Sequence, residues 1–286
     1  MAYTQGVTTI ANLSAILINA LTTAGWTNVS GASYRSPASA SIQVQLVSAT
    51  TSAFTFSTET VLGVSRTFYL PFGTNSSTTA RVEYQTFIGT DYAVFVVRAP
   101  LPGTLNTSNT NIMQATFGVT TLTPYYDNVT FNYFDHVVAF GHISTSTALS
   151  NTTLYMRNGN TAEGWIPGSL STMRVAAGAG YTAGIPDNVM TTLGSTQTTF
   201  WPYLFSANPG IAAPNGGGIV GRLNNVFFAG DNYEDSSDVQ KPVNIRSVIG
   251  GSTYRSVIAF RNVSTATPLG QAGVGNIGGP IIMVKE

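Results

Sequence analysis

The chain has 286 residues and no cysteine, and charged side chains fill only 8% of its positions, 12 basic against 12 acidic, for a formal net charge of zero. These numbers exclude a disulfide-stapled scaffold and disorder driven by charge repulsion. With Lys241 and Lys285 as its only lysines, the chain also lacks the clustered cations that a nucleic-acid partner requires.

What remains is a chain that is 43% apolar, rich in Thr, Ser and Asn, and long enough to bury a large core. Residues 1–34 contain no charged side chain. Ile10, Leu13, Leu17, Ala20, Leu21 and Ala24 recur at three- and four-residue steps, which predicts a helix as the first element. A hydroxyl of Thr8 or Thr9 is placed to cap its start, Gly25 to end it, and Trp26 to fold back on it. The apolar run Leu13–Leu21 is too short to span a bilayer, and no Lys or Arg precedes it as in a secretory signal. The expectation is a chain that starts at its own N-terminus, folds in a cytoplasm and has no membrane partner.

Strand and turn signals dominate from there on. Ile42, Val44 and Leu46 alternate with Gln43 and Gln45, and Phe54 and Phe56 continue the period of two. Arg81–Ile88 and Tyr92–Ala99 form a predicted hairpin around Gly89-Thr90-Asp91. Residues 100–111 have no periodicity and read as a long loop. Val129–Ile143 is aromatic and β-branched and predicts a buried strand or strand pair. From Asn158 to Asn225 five prolines and many glycines predict long loops with short strands, onto which Trp165 and Trp201 are expected to anchor. Strand signal returns at Val226–Ala229, at Val243–Ile249 and Tyr254–Arg261 around Gly250-Gly251, and at Ile281–Val284. The tetrapeptide RSVI occurs twice, at Arg246–Ile249 and Arg255–Ile258.

The predicted class is mainly β (α+β): an N-terminal helix followed by an antiparallel β-sandwich-like body with long Gly/Pro-rich loops. Threonine is frequent up to Thr199 and then absent until Thr253, which suggests two parts with different roles. The division drawn is 1–30 (helix and turn), 31–150 (β-rich) and 151–286 (loop-rich β with a C-terminal hairpin), with a soft boundary near 150 that also admits a single domain.

Motifs for chemistry are weak. Gly216, Gly218 and Gly221 satisfy G-x-G-x-x-G, but prolines precede them and a strand pattern follows, so no helix N-terminus is available for a pyrophosphate and no cofactor is expected. Asp231, Asp235 and Asp238 lie in an acidic run that offers oxygen ligands to a calcium ion, without the spacing of an EF-hand. His136 and His142 share a face with Phe134, Val138 and Phe140 on a continuous strand and predict core or edge positions. Glu83 and Asp91 fall in one hairpin and are the carboxylate pair to consider for glycoside hydrolysis. No catalytic residue is assigned, and the chain is not expected to be an enzyme.

The segments YTQGVTTIANLSAILINALTTAGWTNV at Tyr3–Val29, NVTFNYFDHVVAFGHI at Asn128–Ile143 and GGGIVGRLNNVFFAGDNY at Gly216–Tyr233 resemble virion structural proteins of tailed bacteriophages. Such proteins open with a short helix and a GWT-like turn into a long β-rich body of low charge. The resemblance implies a non-enzymatic subunit of a tail or baseplate, assembled in the host cytoplasm, whose partners are copies of itself and other virion proteins. The apolar stripe Ile10, Leu13, Leu17 and Leu21 with Trp26, together with the glycine-rich C-terminal segment, is expected to make those contacts. The alternative is a receptor- or carbohydrate-binding tail-fibre or capsid decoration module that holds a host glycan. It would use aromatic faces in loop-like stretches, with Tyr125, Tyr126, Trp165, Trp201 and Tyr233 as candidates.

Overall fold

The computed structural model describes residues 2–38, 42–45, 53–59, 65–71, 78–99, 112–124, 137–141, 153–157, 165–169, 189–193, 196–201, 203–205, 219–229, 245–258, 260–263, 277–278 and 281–286. The first elements are β1 (Ala2–Thr9), α1 (Ile10–Thr23), β2 (Thr27–Ser30), β3 (Ser33–Arg35), β4 (Gln43–Gln45), β5 (Ala53–Glu59) and β6 (Ser65–Pro71). Next come β7 (Arg81–Ile88), β8 (Ala93–Ala99), β9 (Ile112–Pro124), β10 (Val137–Gly141), β11 (Thr153–Arg157) and β12 (Trp165–Ser169). They are followed by β13 (Val189–Leu193), β14 (Thr196–Trp201), β15 (Tyr203–Phe205), β16 (Ile219–Leu223) and β17 (Val226–Ala229). The last are β18 (Arg246–Ile249), β19 (Ser252–Ile258), β20 (Phe260–Val263), β21 (Ile277–Gly278) and β22 (Ile281–Lys285).

The strands form three antiparallel sheets. The largest, of 11 strands, runs β1-β7-β8-β9-β10-β11-β12, with β15, β16, β20 and β21 attached through β9. A six-stranded sheet runs β13-β14-β17-β22-β19-β18, and a five-stranded sheet runs β2-β3-β4-β5-β6. The body is mainly β and sandwich-like, as its alternating apolar pattern predicts. The 11-stranded sheet draws strands from both sides of residue 150, with β9 hydrogen-bonded to β16 and β20.

The central sheet is buried on both faces. On one face Val82, Phe95, Val97, Phe117, Val119 and Ala139 pack against the helix and the five-stranded sheet, all with negligible exposure. Phe56 of β5 is central to this core, 5.7 Å from the Phe95 ring and 6.3 Å from the Phe117 ring. Alternate residues point the other way: Val94, Val96, Val138 and Phe140 are equally buried. There Phe140 meets Phe228 of β17 edge-on at 5.6 Å, which seats the six-stranded sheet on this second face. The far face of that sheet carries its own smaller cluster, Phe227, Tyr254, Ile281 and Met283.

The first element is a strand, not the predicted helix. Ala2–Thr9 pairs with all eight residues of β7 in unbroken register, from Ala2↔Ile88 to Thr9↔Arg81. Its Thr, Gln and Gly content hides the alternation of Tyr3, Gln5 and Val7. The helix that follows keeps its predicted span within a residue but not its predicted cap. Thr9 is extended and its side chain makes no capping bond. Two of the free amides are instead taken by the chain entering β7: Ile10 N donates to Ala80 O at 2.9 Å and Ala11 N to Thr78 O at 3.0 Å. At the other end Gly25 adopts φ +88°, and Trp26 N donates to Leu21 O at 3.0 Å, closing a Schellman turn. The Gly250-Gly251 hairpin likewise uses left-handed backbone at both positions, φ +55° and +78°. No helix among the described residues is long and apolar enough to cross a membrane.

Candidate functional site

The helical stripe expected to face partners faces the chain's own core. Ile10, Leu13, Leu17 and Leu21 have no exposed surface, and Trp26 is almost as buried. The Trp26 indole N–H donates to Gly89 O at 2.8 Å, tying the turn after the helix to the β7–β8 hairpin. A 3.6-residue apolar period shows that a face is covered but not what covers it. Here the cover is intramolecular, so these five residues are structural and offer no surface to a partner.

Glu83 and Asp91 do not form a carboxylate pair. Glu83 lies opposite Arg98 across β7 and β8 and forms an ion pair with it at 3.5 Å. Asp91 stands in the turn beyond Ile88, about 17 Å of extended strand away. Its carboxylate accepts from Thr121 Oγ1 at 3.2 Å and Asn225 Nδ2 at 3.1 Å. Asn224 closes the same junction, donating from Nδ2 to Thr121 Oγ1 at 3.0 Å while its carbonyl accepts from the Thr120 hydroxyl. Asn225, with φ +65°, turns the chain from β16 into β17. The predicted acid thus fastens a hairpin to a turn more than a hundred residues away in sequence.

Gly221 belongs to strand β16, paired with β9 and β15. The motif's last glycine is therefore in a sheet rather than at a helix N-terminus. Trp165 begins β12 and Trp201 ends β14, so neither stands in the loop-like setting expected for a sugar platform. Asp231, Asp235 and Asp238, Tyr125, Tyr126 and Tyr233, His136 and His142, Gly216 and Gly218, and residues 100–111 lie outside the described residues. Among the described residues no group of three or more His, Asp or Glu is placed to hold a metal.

The arrangement that sequence reasoning missed surrounds β18 and β19. The two RSVI copies pair so that Arg246 lies opposite Arg255. Both guanidinium groups grip the Glu286 carboxylate: Nε donates at 2.8 Å from Arg246 and at 2.6 Å from Arg255, with a second contact of 2.5 Å from each. Arg255 also stacks over the Tyr3 ring at 4.2 Å, linking this clasp to β1. Burial pushes the Tyr3 phenol up, and the Arg255 charge partly offsets that. The echo at nine-residue spacing was the available signal, but its acidic partner is 31 residues beyond Arg255.

Among the described residues three large hydrophobic side chains are exposed, Val7 (48%), Val29 (42%) and Val248 (75%). They stand on β1, β2 and β18, each of which ends one of the three sheets. No protein-family model matches the sequence, and no curated protein matches it.

Proposed function

We propose that this chain is a structural subunit of a tailed-bacteriophage virion, in its tail or baseplate, that works by protein–protein contact. The observation that carries the proposal is the position of the exposed apolar side chains. Each stands on a strand that ends a different sheet among the described residues, and a sheet edge offers unpaired backbone donors and acceptors to a neighbouring strand. The 8% charge supports the same reading, because a surface of hydroxyls and amides costs less to desolvate than one of ions. The resemblance of Tyr3–Val29 and Gly216–Tyr233 to virion proteins supplies the setting.

The test is co-sedimentation of the chain with intact particles, combined with analytical ultracentrifugation of the purified protein. Copies in the particle and concentration-dependent oligomers are expected. A protein that stays monomeric at high concentration and is missing from particles overturns the proposal. Binding on a glycan array by such a monomer would favour the host-receptor alternative instead.

A further inference from the structure

The three edges marked by exposed valines are not equivalent. β2 has four residues and a register shift between Asn28 and Ser30, which twists an edge away from partners. β18 has four residues and carries Arg246. At the opposite ends of the sheets, β6 contains Arg66 and Pro71, β12 contains Pro167, and β13 has only five residues. β1 has eight residues, an unbroken register to β7, and neither a charged residue nor a proline. Among the described residues it pairs with β7 alone, and no strand lies along its other side, which lacks the devices that usually guard an edge.

We infer that the free edge of β1 pairs with β1 of a second copy of this chain, antiparallel and around a two-fold axis through Gln5. The sequence selects this register. A two-fold perpendicular to the sheet keeps each face of β1 on the same face of its partner, so paired positions must share parity. Tyr3, Gln5 and Val7 share a face, because they pair with Phe87, Gln85 and Glu83 in turn. An axis at Gln5 sets Tyr3 opposite Val7 of the second copy, Val7 opposite its Tyr3, and the two Gln5 amides opposite each other. Aromatic against β-branched is a favourable cross-strand pair, and it covers the half-exposed Val7. No like charges meet, because β1 has none. The two 11-stranded sheets then become one continuous sheet.

This inference deepens the proposed assembly role and rests on it for its biological setting. An eight-residue ladder buries little side-chain area, well under the roughly 1,200 Å² of a standard interface. The pair therefore forms at the high local concentration of an assembly, and a covalent trap is the suitable assay. The chain has no native cysteine, so a single introduced thiol reports on one position.

In the full chain Gln5→Cys places two thiols directly opposite, at the Cα separation of about 4.5–5.5 Å that a disulfide accepts. Under mild oxidation Gln5→Cys should form a linked dimer at least about tenfold faster than Val29→Cys, whose thiol is exposed on β2 and meets its copy only by collision. Val7→Cys alone should not link, whereas an equimolar mixture of Tyr3→Cys and Val7→Cys should. Equal rates for Gln5→Cys and Val29→Cys, or a linked dimer from Val7→Cys in place of Gln5→Cys, overturn the inference. Oligomers that persist while Gln5→Cys stays unlinked also overturn it, and they leave the assembly role standing on another surface.

Discussion

The placement of the helical stripe in the core, rather than at an interface, is most directly tested at Leu17. The side chain has no exposed surface and lies mid-helix, between Leu13 and Leu21 and against the central sheet. Leu17→Ala removes three carbons, about 2.4 kcal/mol at roughly 0.8 kcal/mol each, and leaves a cavity that the packed sheets cannot fully close. A total loss of about 3 kcal/mol follows, a large share of the roughly 5–15 kcal/mol that holds a domain folded. At about 2–4 °C per kcal/mol for a large domain, Tm should fall by about 10 °C. Urea denaturation followed by Trp fluorescence measures this, with the midpoint moving down and the slope unchanged. The chain's association state, measured well below the transition, should not change. Unaltered stability with lost self-association would refute the placement, because it would mean that the stripe faces a partner.

The clasp at Glu286 and the hairpins give further tests. Glu286→Gln leaves the nearly buried Arg255 without its anion and should cost about 2 kcal/mol, the share from Arg246 being small because that side chain is 62% exposed; thermal melts at low and high salt measure it. Gly118→Ala directs a Cβ at Phe140 and to 2.9 Å from Val94 Cγ2, and should cost about 1–3 kcal/mol by overpacking the contact between central and six-stranded sheets. Tyr92 is buried, and burial with the adjacent Asp91 charge pushes its phenol well above the usual tyrosine range. The neutral phenol is therefore the folded form, so its contribution is complete below pH 10, the unfolded value, and is lost as pH rises beyond it. Tyr92→Phe should cost about 1 kcal/mol at neutral pH through loss of the bond to Lys285 O, and should flatten the alkaline fall in stability seen by chemical denaturation above pH 10.

What sequence could reveal here depended on how local the cause was. The β7–β8 hairpin was legible because its turn and both alternating strands lie within nineteen consecutive residues, Arg81–Ala99. The helix was legible from its own spacing, and its C-terminal turn from Gly25. β10 was legible as buried because its side chains have covered faces on both sides, which leaves a continuous apolar run. β1 was not, because its threonines and glycine suit many conformations and only β7, more than seventy residues on, makes it a strand. Tyr84 lies over Gly6, its hydroxyl 2.8 Å from where a Cβ would stand, so even the glycine is explained by a distant side chain. The role of the helical stripe and the partners of Asp91 and Glu286 were illegible for the same reason. Each is set by a segment far away in sequence.

The few charges sharpen the same argument. With 12 basic and 12 acidic residues in 286, each charge kept inside removes a noticeable share of the surface total. Glu83 and Arg98 are paired between strands at 15% and 3% side-chain exposure, and Glu286 and Arg255 at 8% and 12%. Asp91 is occupied by Thr121 and Asn225. These groups cross-link strand to strand and hairpin to turn, and contribute little to hydration. Among the described residues the surface is then poorer in ions than the composition alone suggests. A soluble monomer ordinarily does the reverse, placing its charges outward and guarding its strand edges with them. In this chain the edge strand with the longest unbroken ladder carries neither a charge nor a proline. A strand of that length with no charge and no proline is what the proposed pairing with a second copy requires.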